Sequence, residues 1–157
     1  MAKRKNQNPK HKAELKATGE VRQKEGADQW GESPIVFIFT SFDIDGPWGL
    51  HALQESSWHE FFSKIESYQS MTWNEFIKDK TRNHNISPES LSEKAIKRCE
   101  NLTLDLDMDT LVSFHVTGKI RFYGIRDRKL CRILWADPWH TDENKGVCPC
   151  HKKRLSA

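Results

Sequence analysis

The sequence has no run of about 18 apolar residues, so it offers no candidate transmembrane helix. Its opening residues contain no apolar stretch of the kind that marks a secretory signal, so a cytoplasmic location is expected. Cysteine is scarce, with four in 157 residues. In an unsecreted chain these read first as thiols and only second as disulfides. There is no Gly-rich phosphate loop and no nucleophile elbow, which removes the nucleotide-binding and hydrolase classes those motifs define. Charge of one sign is not in large excess either, since 25 Lys and Arg face 22 Asp and Glu for a net +3. Global basicity therefore cannot be the basis of any binding to a polyanion.

What is present is a chain of ordinary single-domain length with enough aromatic mass for a core. It holds six tryptophans and eight phenylalanines. Charge is segregated along it. Residues 1–26 carry eight Lys or Arg against three Glu, and residues 119–132 carry six against one Asp. Glu100, Asp105, Asp107 and Asp109 form an acidic stretch between them. Residues 1–31 show no hydrophobic period and read as a basic, disordered arm, suited either to touching nucleic acid or to solubilising the chain. Residues 32–145 read as the folded domain, and 146–157 as a basic tail rich in cysteine.

Within the domain, Ile35 to Phe39 is a short apolar run after Pro34, which predicts a buried strand. Asp43 to Gly49 reads as a loop. Trp58, Phe61, Phe62 and Ile65 share one face of a helix over 55–67. Thr72 and Glu75 have capping-box spacing for a second helix over 72–79. Ser87-Pro88 marks the start of a third, whose apolar face is Leu91, Ala95, Ile96 and Cys99. The period then changes to two, predicting strands over 111–116, 119–126 and 130–136. The expected fold is α+β, an antiparallel sheet of about four strands in β-α-α-β-β-β order with helices on one face.

A turn centred on Asp127-Arg128 would place Gly124 opposite Cys131, Phe122 opposite Ile133 and Ile120 opposite Trp135, giving an apolar face. The other face would carry Lys119, Arg121, Tyr123 and Arg132 outward. A guanidinium fork binds phosphate in bidentate fashion, and a tyrosine offers a plane to an unstacked base. Expected nucleic-acid contacts are Lys119, Arg121, Arg126, Arg128 and Arg132. An outward sheet face is polar in any case, so plain surface is the competing reading.

Catalysis is the next step of that reading. In-line attack by an RNA 2′-hydroxyl needs a base, positive charge and an acid. Arg121 and Arg132, with Lys119, supply charge. His140, which follows Asp137-Pro138-Trp139, handles the proton with Tyr123 or His115. The catalytic candidates are therefore Arg121, Tyr123, Arg132 and His140, for a metal-independent endoribonuclease without a cofactor. A hydrogen-bonded loop histidine is the plainer role for His140. Cys148, Cys150 and His151 form a C-x-C-H group that, with His140 or Cys131, offers a weak zinc signal and the alternative of a small zinc-stabilised adaptor. Asp105, Asp107 and Asp109 offer a fainter one for magnesium.

Residues 73–153 resemble a family of small bacterial proteins. The likeness rests on Thr72-Trp73-Asn74-Glu75, Leu91 to Ala95, Gly118 to Asp127, Leu134 to His140 and Val147-Cys148-Pro149. More broadly, the element order is similar to that of the RelE/ParE-like toxins of toxin–antitoxin pairs. That resemblance implies action on RNA, possible dependence on the ribosome, and restraint by an antitoxin protein. It assigns the reaction to Lys119, Arg121, Tyr123 and Arg132 by strand position and residue type. The competing class is a non-catalytic module binding nucleic acid or protein in a bacterial or phage conflict system.

Overall fold

The computed structural model describes residues 29–79, 82–105 and 109–149. The apolar run after Pro34 forms β1 (Val36–Ile38). Helix α1 (Trp58–Gln69) buries Phe61, Ile65 and Tyr68, one stripe at helical spacing. Trp58 and Phe62, expected on that stripe, flank it instead and stay 43% and 48% exposed. Helix α2 (Trp73–Lys78) opens with the predicted capping box. The Thr72 hydroxyl accepts the Glu75 N–H at 3.2 Å, and a Glu75 carboxylate oxygen accepts the Thr72 N–H at 2.7 Å.

The Ser87-Pro88 signal yields only a 3-10 turn, Pro88–Ser90. Helix α3 (Glu93–Asn101) begins later, where the Ser92 hydroxyl accepts the Ala95 N–H. Between α2 and that turn lies β2 (His84–Ile86), too short and too polar to show a period. A meander follows, β3 (Thr110–Thr117), β4 (Ile120–Asp127) and β5 (Leu130–Asp137).

The fold is α+β, and its five-stranded sheet has the order β1-β5-β4-β3-β2. β1 pairs parallel with β5, and the other pairings are antiparallel. The expected four-stranded antiparallel sheet therefore gains an edge strand and one parallel pair. Helices on one face alone is also corrected, because both faces are covered. Phe37, Phe114, Phe122 and Ile133 pack under α1 and α2 with Phe61, Trp73 and Phe76. The Phe114 and Phe122 rings stack at 4.4 Å. On the opposite face Leu111, Tyr123, Ile125 and Trp135 pack against Ala95 and Cys99 of α3 and against Trp48 and Val147.

That second layer uses segments that read as surface. Trp48, in the expected loop, is fully buried, and its indole N–H donates to the Lys145 carbonyl at 2.8 Å. Val147 and Cys148 are fully buried as well, so the expected boundary at residue 145 cuts through a packed segment. At the other end of the domain, the Gly31 carbonyl accepts the Asn74 N–H at 2.9 Å. Residues 1–28 of the expected arm and 150–157 of the tail lie outside the described residues. Among those described, no helix is long and apolar enough to cross a membrane.

The hairpin register also differs from expectation. Asp127 pairs with Leu130 across a two-residue turn, and Arg128 sits there at φ 59°. Gly124 faces Ile133, but past a bulge Tyr123 faces Trp135 and Phe122 faces Ala136. A bulge sets two residues of one strand against one of the other. Here it carries Trp135 off the face of Cys131 and Ile133 and onto the face of Tyr123.

Candidate nucleic-acid interface

The bulge and the second layer divide the expected basic face into two ends. At the Gly118 end, Lys119 is exposed, but Arg121 is 7% exposed, His140 is 4% and Tyr123 is fully buried. Burial lowers the Arg121 pKa and pushes the Tyr123 phenol far above its ordinary value. The Tyr123 hydroxyl lies 3.2 Å from His140 Nδ1. Arg121, Tyr123 and His140 are thus brought together, as catalysis would need, but beneath α3 and the C-terminal segment rather than on an open face. The expectation of an outward face fails for a physical reason. Ile125, Leu134 and Trp135 share that face, and their apolar area is worth more buried than wet.

Arg132 does not join them. Its guanidinium lies 3.7 Å from Asp109, about half a strand away toward the other turn. Asp109 also accepts the Asp105 N–H, so its carboxylate is already engaged. Asp107 lies outside the described residues, as do Cys150 and His151. Cys148 is disulfide-bonded, which removes it as a free thiolate, and Cys131 is a fully buried thiol whose pKa burial raises. Among the described residues no three His, Cys, Asp or Glu side chains are placed to hold a metal. His115 is half-buried and faces Arg121 across the β3–β4 ladder.

At the hairpin tip the basic residues do reach water. Arg128 and Lys129 are exposed, and Arg126 is half-buried. The Arg126 guanidinium lies 4.3 Å from the centroid of the buried Trp73 ring, and its Nε donates to the Arg128 carbonyl at 3.2 Å. Burial lowers the Arg126 pKa. The Lys129 ammonium lies 6.0 Å from the Trp30 ring. Cation–π contacts of this kind hold long side chains in place without neutralising them. The backbone is held here too, since the Lys129 carbonyl accepts the Val36 N–H and the Trp73 indole N–H. Trp30 lies at the start of the described chain.

Trp30, Trp73 and Lys129 were not among the contacts the sequence suggested. The available signal was Trp30 at the end of the basic segment, whereas the pairing of Trp73 with Arg126 links distant parts of the chain and had none. Comparison of the chain with protein-family models, curated proteins and solved structures finds no match.

Proposed function

We propose that this protein is a nucleic-acid-binding module that holds RNA by its phosphates at the β4–β5 hairpin tip. The observation that carries the reading is the convergence of Arg126, Arg128 and Lys129 at one turn, two of them held on tryptophan rings. Such contacts position a phosphate backbone without reading sequence. The RelE/ParE-like resemblance would add a ribosome-associated target and an antitoxin partner, with β1, α1, α2 and the β3–β5 meander as the shared part. Trp58 and Phe62, one turn apart and half exposed on α1, are apolar surface that such a partner would cover. The endoribonuclease reading needs Arg121, Tyr123 and His140 at a scissile phosphate, and all three are buried. Binding without cleavage is therefore the reading adopted.

Fluorescence anisotropy with a labelled single-stranded RNA tests it. Affinity should fall linearly on a log–log plot against salt, and the slope should shrink by about one for each of Arg126, Arg128 and Lys129 changed to alanine. A triple variant that binds like the wild type removes the reading. Growth arrest with fragmented cellular RNA on expression of the wild type would restore the enzyme in its place.

A further inference from the structure

The two edges of the sheet are unlike each other. β2 forms one edge, and it is short and polar, with His84 and Asn85 ahead of Ile86. β1 forms the other, and residues 35–42 around it hold no charged side chain and no proline. Folded proteins blunt an edge with charge, proline or a bulge, or else cover it, because its unpaired N–H and C=O groups invite another strand.

The pairing with β5 fixes which groups of β1 are open. The Val36 N–H donates to the Lys129 carbonyl, so Val36 and Ile38 turn their backbone groups toward β5, and Phe37 turns its own outward. At one end of the free edge the Ile35 N–H donates to the Met71 carbonyl at 3.1 Å. At the other the chain leaves in a turn, the Phe39 carbonyl accepting the Phe42 N–H at 2.9 Å. Between these ends the Ile35 carbonyl, the Phe37 N–H and carbonyl and the Phe39 N–H have no backbone partner among the described residues. The side chains beside them are apolar on both faces. Ile35 and Phe37 belong to the core under α1. Val36 and Phe39 are 39% and 41% exposed, and Ile38 is half-buried.

This open stretch is complementary to itself. Laid antiparallel on a second copy about Phe37, the two Phe37 residues exchange both their hydrogen bonds, and each Phe39 N–H meets the Ile35 carbonyl of the other chain. Each strand then ends where Met71 already fills the edge of its neighbour. Exposed Val36 comes to lie opposite Ile38 of the second copy, in the type of pair where side chains approach most closely, and exposed Phe39 lies opposite Ile35. The chain's own terminal segments do not match the site, since 1–28 and 150–157 are basic and contain no apolar run.

We propose that β1 pairs with β1 of a second copy across a two-fold axis at Phe37, joining two five-stranded sheets into one. Light scattering on the full chain during gel filtration, over a range of concentrations and without RNA, tests it apart from the hairpin-tip reading. The mass should reach twice the 18.3 kDa of one chain. Val36→Lys and Phe39→Lys each place a charge beside the edge at an exposed position, so each should elute at the single-chain mass with an unfolding midpoint close to that of the wild type. Asn85→Lys, at an exposed position on the opposite edge strand, should leave the dimer intact. The register has its own readout. Chains carrying Val36→Cys and chains carrying Ile38→Cys, mixed and oxidised, should join as a disulfide dimer, because directly opposed residues of an antiparallel pair lie within disulfide reach. A single-chain mass at every concentration overturns the proposal and leaves the edge to a strand of another protein. A dimer indifferent to Val36→Lys and Phe39→Lys, or one lost in Asn85→Lys, or mixed cysteine chains that do not join, overturns it as well.

Discussion

Asp137 ties Val147 to the end of β5, its carboxylate accepting the Val147 backbone N–H at 2.8 Å. The other oxygen takes the Trp139 N–H at 2.7 Å, so one side chain fixes both ends of the segment that carries His140 and packs over Tyr123. Burial pushes the Asp137 pKa up from 3.8 to about 6, against the opposing pull of these two N–H groups and of Arg121. Between about pH 4 and pH 6 the folded chain keeps a proton that the unfolded chain has released. The stability owed to this group therefore falls as pH rises through that window. A shift of about two units corresponds to roughly 3 kcal/mol. In Asp137→Asn that slope should vanish. Urea denaturation of both proteins at about pH 4.5 and pH 7 checks it. A wild-type-minus-variant difference that stays constant between the two would show that Asp137 does not titrate in this way.

Asp43 has the opposite sign. Its pKa is lowered chiefly by the hydrogen bonds from Arg98, and it also accepts the Trp135 indole N–H at 3.1 Å. Its contribution is present above the unfolded carboxylate value and is lost as pH falls through the lower folded one. Asp43→Ala leaves a buried indole N–H and a partly buried guanidinium without their acceptor. The expected cost is about 3 kcal/mol, less than for a fully buried pair because the Arg98 side chain is 26% exposed. Asp43→Asn, which can still accept from Trp135, should lose less. Equal midpoints for the alanine variant and the wild type in urea would remove Asp43 as the link between β5 and α3.

Much of one layer was legible in the sequence and much of the other was not. The stripe of α1, the Thr72 capping box and the three meander strands follow from local periods and spacings, which the chain writes within a few residues. The layer over Tyr123 is built from Trp48, α3 and Val147, contacts that span tens of residues and leave no period. Arg121 and Tyr123 read as surface because they are polar, yet Ile125 and Leu134 on the same face already pointed the other way. The bulge at Trp135 was not legible at all, since a one-residue insertion alters pairing without altering composition. Of the expected contacts, Lys119 and Arg128 are exposed and Arg126 is half-buried. The tryptophans that hold the tip were not found, because their partners are remote.

Arg128 separates binding from stability at the tip. It holds φ 59° in a two-residue turn, a conformation that costs a residue with a side chain about 1 kcal/mol or more. Arg128→Gly removes that strain along with the charge. Stability should stay level or rise by up to about 1 kcal/mol, the strain relief being partly offset by the freedom glycine gains when unfolded. RNA affinity should drop in low salt, with the salt slope smaller by about one. Thermal melts and anisotropy on the same samples check both halves. A variant that binds RNA with an unchanged slope would take Arg128 out of the interface.

Gly124 is a position where the β4–β5 ladder leaves no room for a side chain. A Cβ there would come within 2.5 Å of the Cys131 sulfur and 2.9 Å of the Arg132 carbonyl oxygen. Cys131 is fully buried, so its sulfur has little room to withdraw, and the carbonyl belongs to the neighbouring strand's backbone. Relieving the contact means spreading the ladder beside the bulge that sets Tyr123 against Trp135. Gly124→Ala should therefore destabilise by about 1–3 kcal/mol, the range for overpacking a close-packed core. Cys131→Ala in the same chain removes the sulfur but not the carbonyl, so the double variant should be more stable than the sum of the single changes while remaining below wild type. Denaturant midpoints for the four proteins of this cycle decide the matter. A Gly124→Ala protein with the wild-type midpoint would mean that the strands are not as close at this position as the structure has them.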